Sequence, residues 1–318
     1  MFWVATRVKR TLRTALLTAL AASLACTAQA QDIEDEAPPL PDVEAGAVPE
    51  GSVGGMGDIN LYPKRVTMDA RSRIASIGLY NRTIDPGEYE ISVVDMVMTP
   101  EGDVYPVDNL PPGVSTERLR PASGFLRWSP RRVRLLGSEA QTVRIMARPS
   151  ADLPDGEYRA HFMAVSVPQD VDQGLTIDDA VGGADGSAPD IGVLIRPRFG
   201  ISIPIIVRVG ETTLDVGLER LGFVDTPEGR AIGMTITRQG SRSAFGDITV
   251  TAAGSSEPVA IARGIGVYPE IDSREVILGL SPQFDTTLLR PGTVLTVTYT
   301  DDDFAPGETL ASSSFVVP

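Results

Sequence analysis

The chain has 318 residues and carries 42 acidic against 28 basic side chains, a formal net charge of −14. A balance that acidic repels nucleic acid and anionic membrane surfaces, so neither is expected as a partner. Cys26, the only cysteine, falls within residues 1–30, which read as a segment removed on export, so the mature chain is expected to have no disulfide, thiol chemistry or cysteine metal site. His161 is the only histidine, which leaves no His cluster for zinc, and no cofactor motif is present.

Residues 1–30 read as a cleavable signal peptide. Arg7, Lys9, Arg10 and Arg13 form a basic n-region, residues 15–24 an apolar h-region, and Ala28-Gln29-Ala30 a small-residue cleavage site. Export to the periplasm and removal before Gln31 follow. A lipoprotein alternative at Cys26 has Ser23 where a lipobox has leucine. No other apolar run approaches the ~20 residues that span a bilayer, so no membrane insertion is expected. Loss of the four basic signal residues leaves 24 basic against 42 acidic groups, a charge of −18.

Residues 31–57 hold seven carboxylates, no Lys or Arg, many Pro and Gly, and no hydrophobic period. They are expected to form an acidic, disordered arm. From Ile59 onward short strands alternate with Gly, Pro and Asp turns. Tyr89, Ile91 and Val93 share one parity, as do Val143, Ile145 and Ala147, and Tyr158, Ala160, Phe162 and Ala164. This period of two, with no amphipathic helix of three turns, predicts an all-β protein of two immunoglobulin-like β-sandwich domains. The domains are placed at residues 58–209 and 210–318.

A loop at residues 168–190 interrupts the first domain with Asp170, Asp172, Asp178, Asp179, Asp185, Asp190 and several glycines. Calcium would suit such carboxylates, but EF-hand spacing is absent and a solvated loop is the better reading. Residues 191–209 follow as a long strand with Ile191, Val193, Ile195, Phe199, Ile201, Ile203, Ile205, Val207 and Val209 on one parity. Pro197 and Pro204 mark it as an edge strand, because proline cannot donate to a central ladder. Residues 201–209 are expected in the core. Further strands are expected at residues 232–236, 248–250, 276–278, 294–299 and 314–317.

In this order the pieces resemble the periplasmic pilus-assembly chaperones of chaperone–usher systems (PapD-like), as a divergent member. Residues 59–66 look like that family's first strand, with Arg65 at its cleft cation. Asn81 follows Gly78-Leu79-Tyr80 as the family's asparagine follows its second strand. Trp128-Ser129-Pro130 through Gln141, Val143, Arg144 and Ile145, and Leu153-Pro154 through Val167-Pro168, are similar to two further family segments. The resemblance implies a chaperone that donates an edge β-strand into the incomplete sheet of a pilus or fimbrial subunit. Val193, Ile195 and Phe199 would be the donor side chains, and Arg65 the anchor for a subunit carboxylate. Pro204 stands where the family has a second cleft cation, so Arg196, Arg198 or Arg208 is left as a possible helper. Partners implied are the subunit and an outer-membrane usher, with the free protein monomeric. The alternative is a structural or adhesive protein of a surface fibre, whose edge strand pairs with its own copies.

By composition alone Arg65 would be a surface arginine, and Glu157 with Arg159 a local charge pair. His161 lies on the less apolar face of its strand, as a structural or exposed residue. No motif supplies a nucleophile with a base or a placed pair of carboxylates, so no enzymatic activity is expected.

Overall fold

The computed structural model describes residues 53–54, 58–168 and 198–318. Most of the arm and of the acidic loop, and with them Val193, Ile195, Arg196 and Pro197, lie outside the described residues.

The first domain contains β1 (Val53–Gly54), β2 (Ile59–Tyr62), β3 (Val66–Met68), β4 (Ile74–Asn81) and β5 (Gly87–Val94). A hairpin of β6 (Met96–Met98) and β7 (Val104–Pro106) comes next. The domain is completed by β8 (Leu126–Ser129), β9 (Arg132–Leu135), β10 (Ala140–Ala147), β11 (Gly156–Ser166) and β12 (Gly200–Val209). Two sheets of order β1-β2-β4-β10-β8 and β3-β12-β11-β5-β9 face each other. The pairing of Val53 with Leu61 starts the first sheet inside the segment that composition assigns to the disordered arm. The chain changes sheets between β2 and β3, because β2 pairs with β4 while β3 lies parallel to β12.

The alternating residues fill this sandwich. Tyr89, Ile91, Val143, Ile145, Ala160, Phe162, Ile203 and Ile205 are all buried in one cluster with Leu61, Leu79 and Leu135. Each large side chain so buried contributes about 1.5–3 kcal/mol relative to exposure. At the far end of the domain Asn81 holds two loops together: its Nδ2 donates to the carbonyls of Asp85 and Leu136 at 2.8 and 3.0 Å, and its Oδ1 accepts from Thr83 N–H.

The second domain comprises β13 (Leu214–Thr226), β14 (Gly229–Gly240), β15 (Ala244–Ala252), β16 (Ala260–Val267), β17 (Ser273–Gly279), β18 (Val294–Asp301) and β19 (Thr309–Val316). Sheets β13-β14-β17 and β16-β15-β18-β19 enclose Ile232, Ile236, Ile248, Val250, Val267, Leu295, Val297 and Tyr299. Two strands that periodicity does not reveal are β13 and β16. In β13 a register shift between Glu219 and Gly222, with Arg220 at φ 51°, breaks the period of two. Opposite β16, a shift at Gly246/Ile248 does the same.

The domains share side chains as well as a boundary. Met98 of the β6–β7 hairpin and Ile206 of β12 are buried in the second domain's core. Gly210 makes the junction at φ 61°, where a side chain would fall on the Asp155 carboxylate.

Candidate functional site

The polar parity of β11 is buried, and this differs from the solvated face its composition suggests. Glu157, Arg159 and His161 are 2%, 2% and 4% exposed, because the second domain covers that face of the sheet. Glu157 and Arg159 do not pair with each other. Arg159 pairs instead with Glu270, donates from Nη2 to the Met96 carbonyl at 2.8 Å, and stacks on Tyr268 at 3.6 Å. Glu270 also accepts from Met98 N–H at 3.0 Å, tying the hairpin to the same spot. The His161 ring stands edge-on to Tyr268, with Nδ1 3.2 Å from Arg159 Nη1. Burial, helped by the Arg159 charge, holds the His161 pKa well below its ordinary value, so the ring is neutral. Burial likewise pushes the Tyr268 hydroxyl up to about 12.

Next to this cluster the ends of the first domain's strands meet the turn that joins β18 to β19. Arg65, just before β3, donates from Nη2 to the Asp302 carbonyl at 2.8 Å and to its carboxylate at 3.1 Å. Its Nε lies 3.4 Å from Asp303, and its guanidinium sits 4.5 Å from the Phe245 ring centroid. Lys64 pairs with the other Asp302 oxygen. Arg208, at the end of β12, donates to Glu157 at 3.2 Å and pairs with Asp303. Burial alone would lower the Arg208 pKa, but Asp303 and Glu157 outweigh it and raise the pKa. Glu157 moves upward through burial, with Arg208 opposing. Arg65 and Arg208 side chains are each only 10% exposed. Beside them an open cleft of about 650 Å³ is lined by Thr67, Arg71, Arg208, Asp303 and Phe304.

Of the proposed helpers, the structure brings Arg208 to Arg65 through their common partner Asp303. It does not bring Arg198, which lies before the opposite end of β12, bonding the Ser166 carbonyl and Glu90 at 3.1 and 3.4 Å. At about 3.3 Å per residue, the length of β12 separates Arg198 from Arg208. Sequence reasoning missed Asp302, Asp303 and Glu270. The run Asp301-Asp302-Asp303 ahead of Pro306-Gly307 signals a turn rich in carboxylates, but only the fold shows which cations it meets.

The second feature is the outer edge of β12. Its inner edge pairs with β11 from Gly200↔Val165 to Val209↔Gly156, whereas β3 covers only Ile205 to Val207 on the outer side. No described strand pairs with the outer edge from Gly200 to Pro204. The Ser166 N–H donates to the Phe199 carbonyl at 2.8 Å. By antiparallel alternation, odd-numbered residues of β12 therefore bond inward to β11, and Gly200 and Ser202 turn their N–H and C=O groups outward. Pro204 turns only a carbonyl outward. On the side-chain faces, Ile201, Ile203, Ile205 and Val207 are buried in their own core as expected, while Phe199 is 41% exposed. The crossover from core to surface lies between Ile201 and Phe199.

No protein-family model and no curated protein matches the chain. Solved structures do. Pilus and fimbrial chaperones are among them. The YadV chaperone is 13% identical over 82% of this chain and all of its own, with a TM-score of 0.40. The Salmonella enterica SafB chaperone in complex with SafA pilin is 15% identical over 83% of this chain and 98% of that one, at 0.39. The CsuC–CsuE chaperone–tip subunit pre-assembly complex from archaic chaperone–usher pili of Acinetobacter baumannii is 11% identical over 82% and 98%, at 0.41. Among the described residues no helix is long and apolar enough to cross a membrane, and no cluster of three or more His, Cys, Asp or Glu side chains is placed to hold a metal ion.

Proposed function

We propose that this protein is a periplasmic chaperone of fimbrial or pilus subunits, which it holds by adding the outer edge of β12 to an incomplete subunit sheet. The observation that carries this reading is the half-covered edge strand. The β12 segment from Gly200 to Pro204 is anchored by buried Ile201 and Ile203 and leaves its outer main-chain groups without a described partner. An edge of this kind is a template for another strand. Main-chain bonds at Gly200 and Ser202 would supply affinity, and side chains of one parity would fill pockets in the subunit. We assign Val193, Ile195 and Phe199 to that filling. Phe199 is the first described residue of the parity to emerge from the core, and Val193 and Ile195 share that parity in the sequence. Arg65 is the proposed anchor for a subunit carboxylate. An outer-membrane usher would receive the complex.

The test is co-expression with a fimbrial or pilus subunit, followed by purification through a tag on the chaperone. A one-to-one complex that is lost in the double variant Ile195→Asn with Phe199→Asn, with the melting temperature of the free protein kept, supports the reading. Filaments of the protein alone, with no subunit bound, would favour the fibre-protein alternative instead.

A further inference from the structure

The two arginines at the cleft are not waiting for a ligand, because the second domain already supplies one. The turn after β18 is a built object. Asp301 is 4% exposed, and its carboxylate accepts from the N–H groups of Asp303, Phe304 and Ala305 at 2.7, 3.1 and 3.2 Å. The Gly307 N–H returns to the Asp301 carbonyl at 2.8 Å, with Gly307 at φ 93°. So fixed, the turn presents Asp302 to Lys64 and Arg65 and Asp303 to Arg65, Thr67 and Arg208. The two carboxylates are not equivalent. Asp303 is held by two arginines and a threonine hydroxyl and is 5% exposed, whereas Asp302 is 17% exposed and shares its outer oxygen with Lys64, itself 44% exposed.

We infer that Asp302 is an internal competitor for Arg65, so that an incoming carboxylate binds this cleft only by exchange with the Asp302 side chain. Asp303 stays in place as the strut between domains. The exchange conserves charge: one carboxylate leaves the guanidinium for water as another arrives, and the Asp302 carbonyl keeps its bond to Arg65. Carboxylate affinity at the cleft is therefore set by the turn as well as by the arginine. This rests on the proposed role of Arg65 as anchor and adds its regulation by the turn.

The experiment uses the full-length mature protein and a short uncharged peptide, prepared with a free C-terminal carboxylate and as its C-terminal amide. Both are titrated by calorimetry into the wild type, Asp302→Asn, Asp302→Ser, and Asp302→Asn combined with Arg65→Ala. The expected result is at least a tenfold gain in affinity for the acid in both Asp302 variants, no gain for the amide, and loss of the gain when Arg65 is removed. Two variants that fold as the wild type yet gain nothing for the acid would overturn the inference and leave Asp302 a structural ion-pair partner. Strand addition is read separately, from amide binding and its loss in Phe199→Asn, so its failure is distinguishable.

Discussion

Arg159 of the first domain and Glu270 of the second pair where their side chains are only 2% and 4% exposed. Water cannot replace either partner at such a place, and removing one strands the other. Glu270→Ala is therefore expected to cost about 3–5 kcal/mol, read as a lower urea midpoint. Replacing both residues, Arg159→Met with Glu270→Leu, should recover most of that loss, because the desolvation of two charges disappears with them. A double variant no better than the single one would mean that the further bonds of Arg159, to the Met96 carbonyl and over Tyr268, matter more than the ion pair.

His161 predicts an acid-side weakness. Its folded pKa lies well below the ordinary 6.5, through burial and then the Arg159 charge. Below pH 6.5 the unfolded chain binds a proton that the folded chain refuses, so stability falls as pH drops from there toward the folded value. The slope is about 1.4 kcal/mol per pH unit for one such group. Glu157, raised by burial, acts in the opposite sense, since its stabilising protonated form is lost as pH rises from the ordinary glutamate range to its folded value. Melting temperatures at pH 7.5 and 5.5 should differ less in His161→Gln than in the wild type. Equal differences would assign the acid sensitivity elsewhere.

Along β12 the change from core to surface should be visible in stability. Ile205 is wholly buried, so Ile205→Ala is expected to cost about 2–5 kcal/mol. Phe199, 41% exposed, has less to lose, and Phe199→Ala should cost under about 1.5 kcal/mol. Chemical denaturation of the two variants side by side checks this. Similar losses would place Phe199 in the core and remove it from the proposed donor face.

At the junction, Gly210→Ala meets two obstacles. The residue sits at φ 61°, which costs an L side chain about 1–2 kcal/mol, and its new methyl would fall on the Asp155 carboxylate. Asp155 also accepts from the Glu211 N–H at 3.2 Å, so displacing it loosens the connection itself. Gly210→Ala is expected to lower the melting temperature, and adding Asp155→Ala should restore the part due to the clash but not the part due to backbone strain.

The all-β class was legible because Tyr89-Ile91-Val93 and Tyr158-Ala160-Phe162-Ala164 alternate without interruption, and each of these residues lies inside the sandwich. The buried stretch of β12 was legible for the same reason. What hid was whatever depends on the second domain. The opposite parity of β11, with Glu157, Arg159 and His161, reads as a wet face, because period-two patterning registers polarity and has no means of registering that a second domain covers it. Arg65 stood out only through the resemblance of residues 59–66 to a family strand, and its carboxylate partners lie more than two hundred residues away in sequence. β13 and β16 hid because a bulge exchanges the inward and outward parities partway along a strand.

Met98 and Ile206 carry a consequence for anyone dividing the molecule. Each belongs to the first domain by chain position and to the second by packing. A fragment ending at Val209 would keep both side chains and lose the pocket that receives them, while one starting at Gly210 would keep the pocket and leave it vacant. Neither half is a portable module. Expressed alone, the first fragment should display fresh apolar surface and bind hydrophobic dyes, and mixing the two fragments should quench that signal as the missing walls are returned.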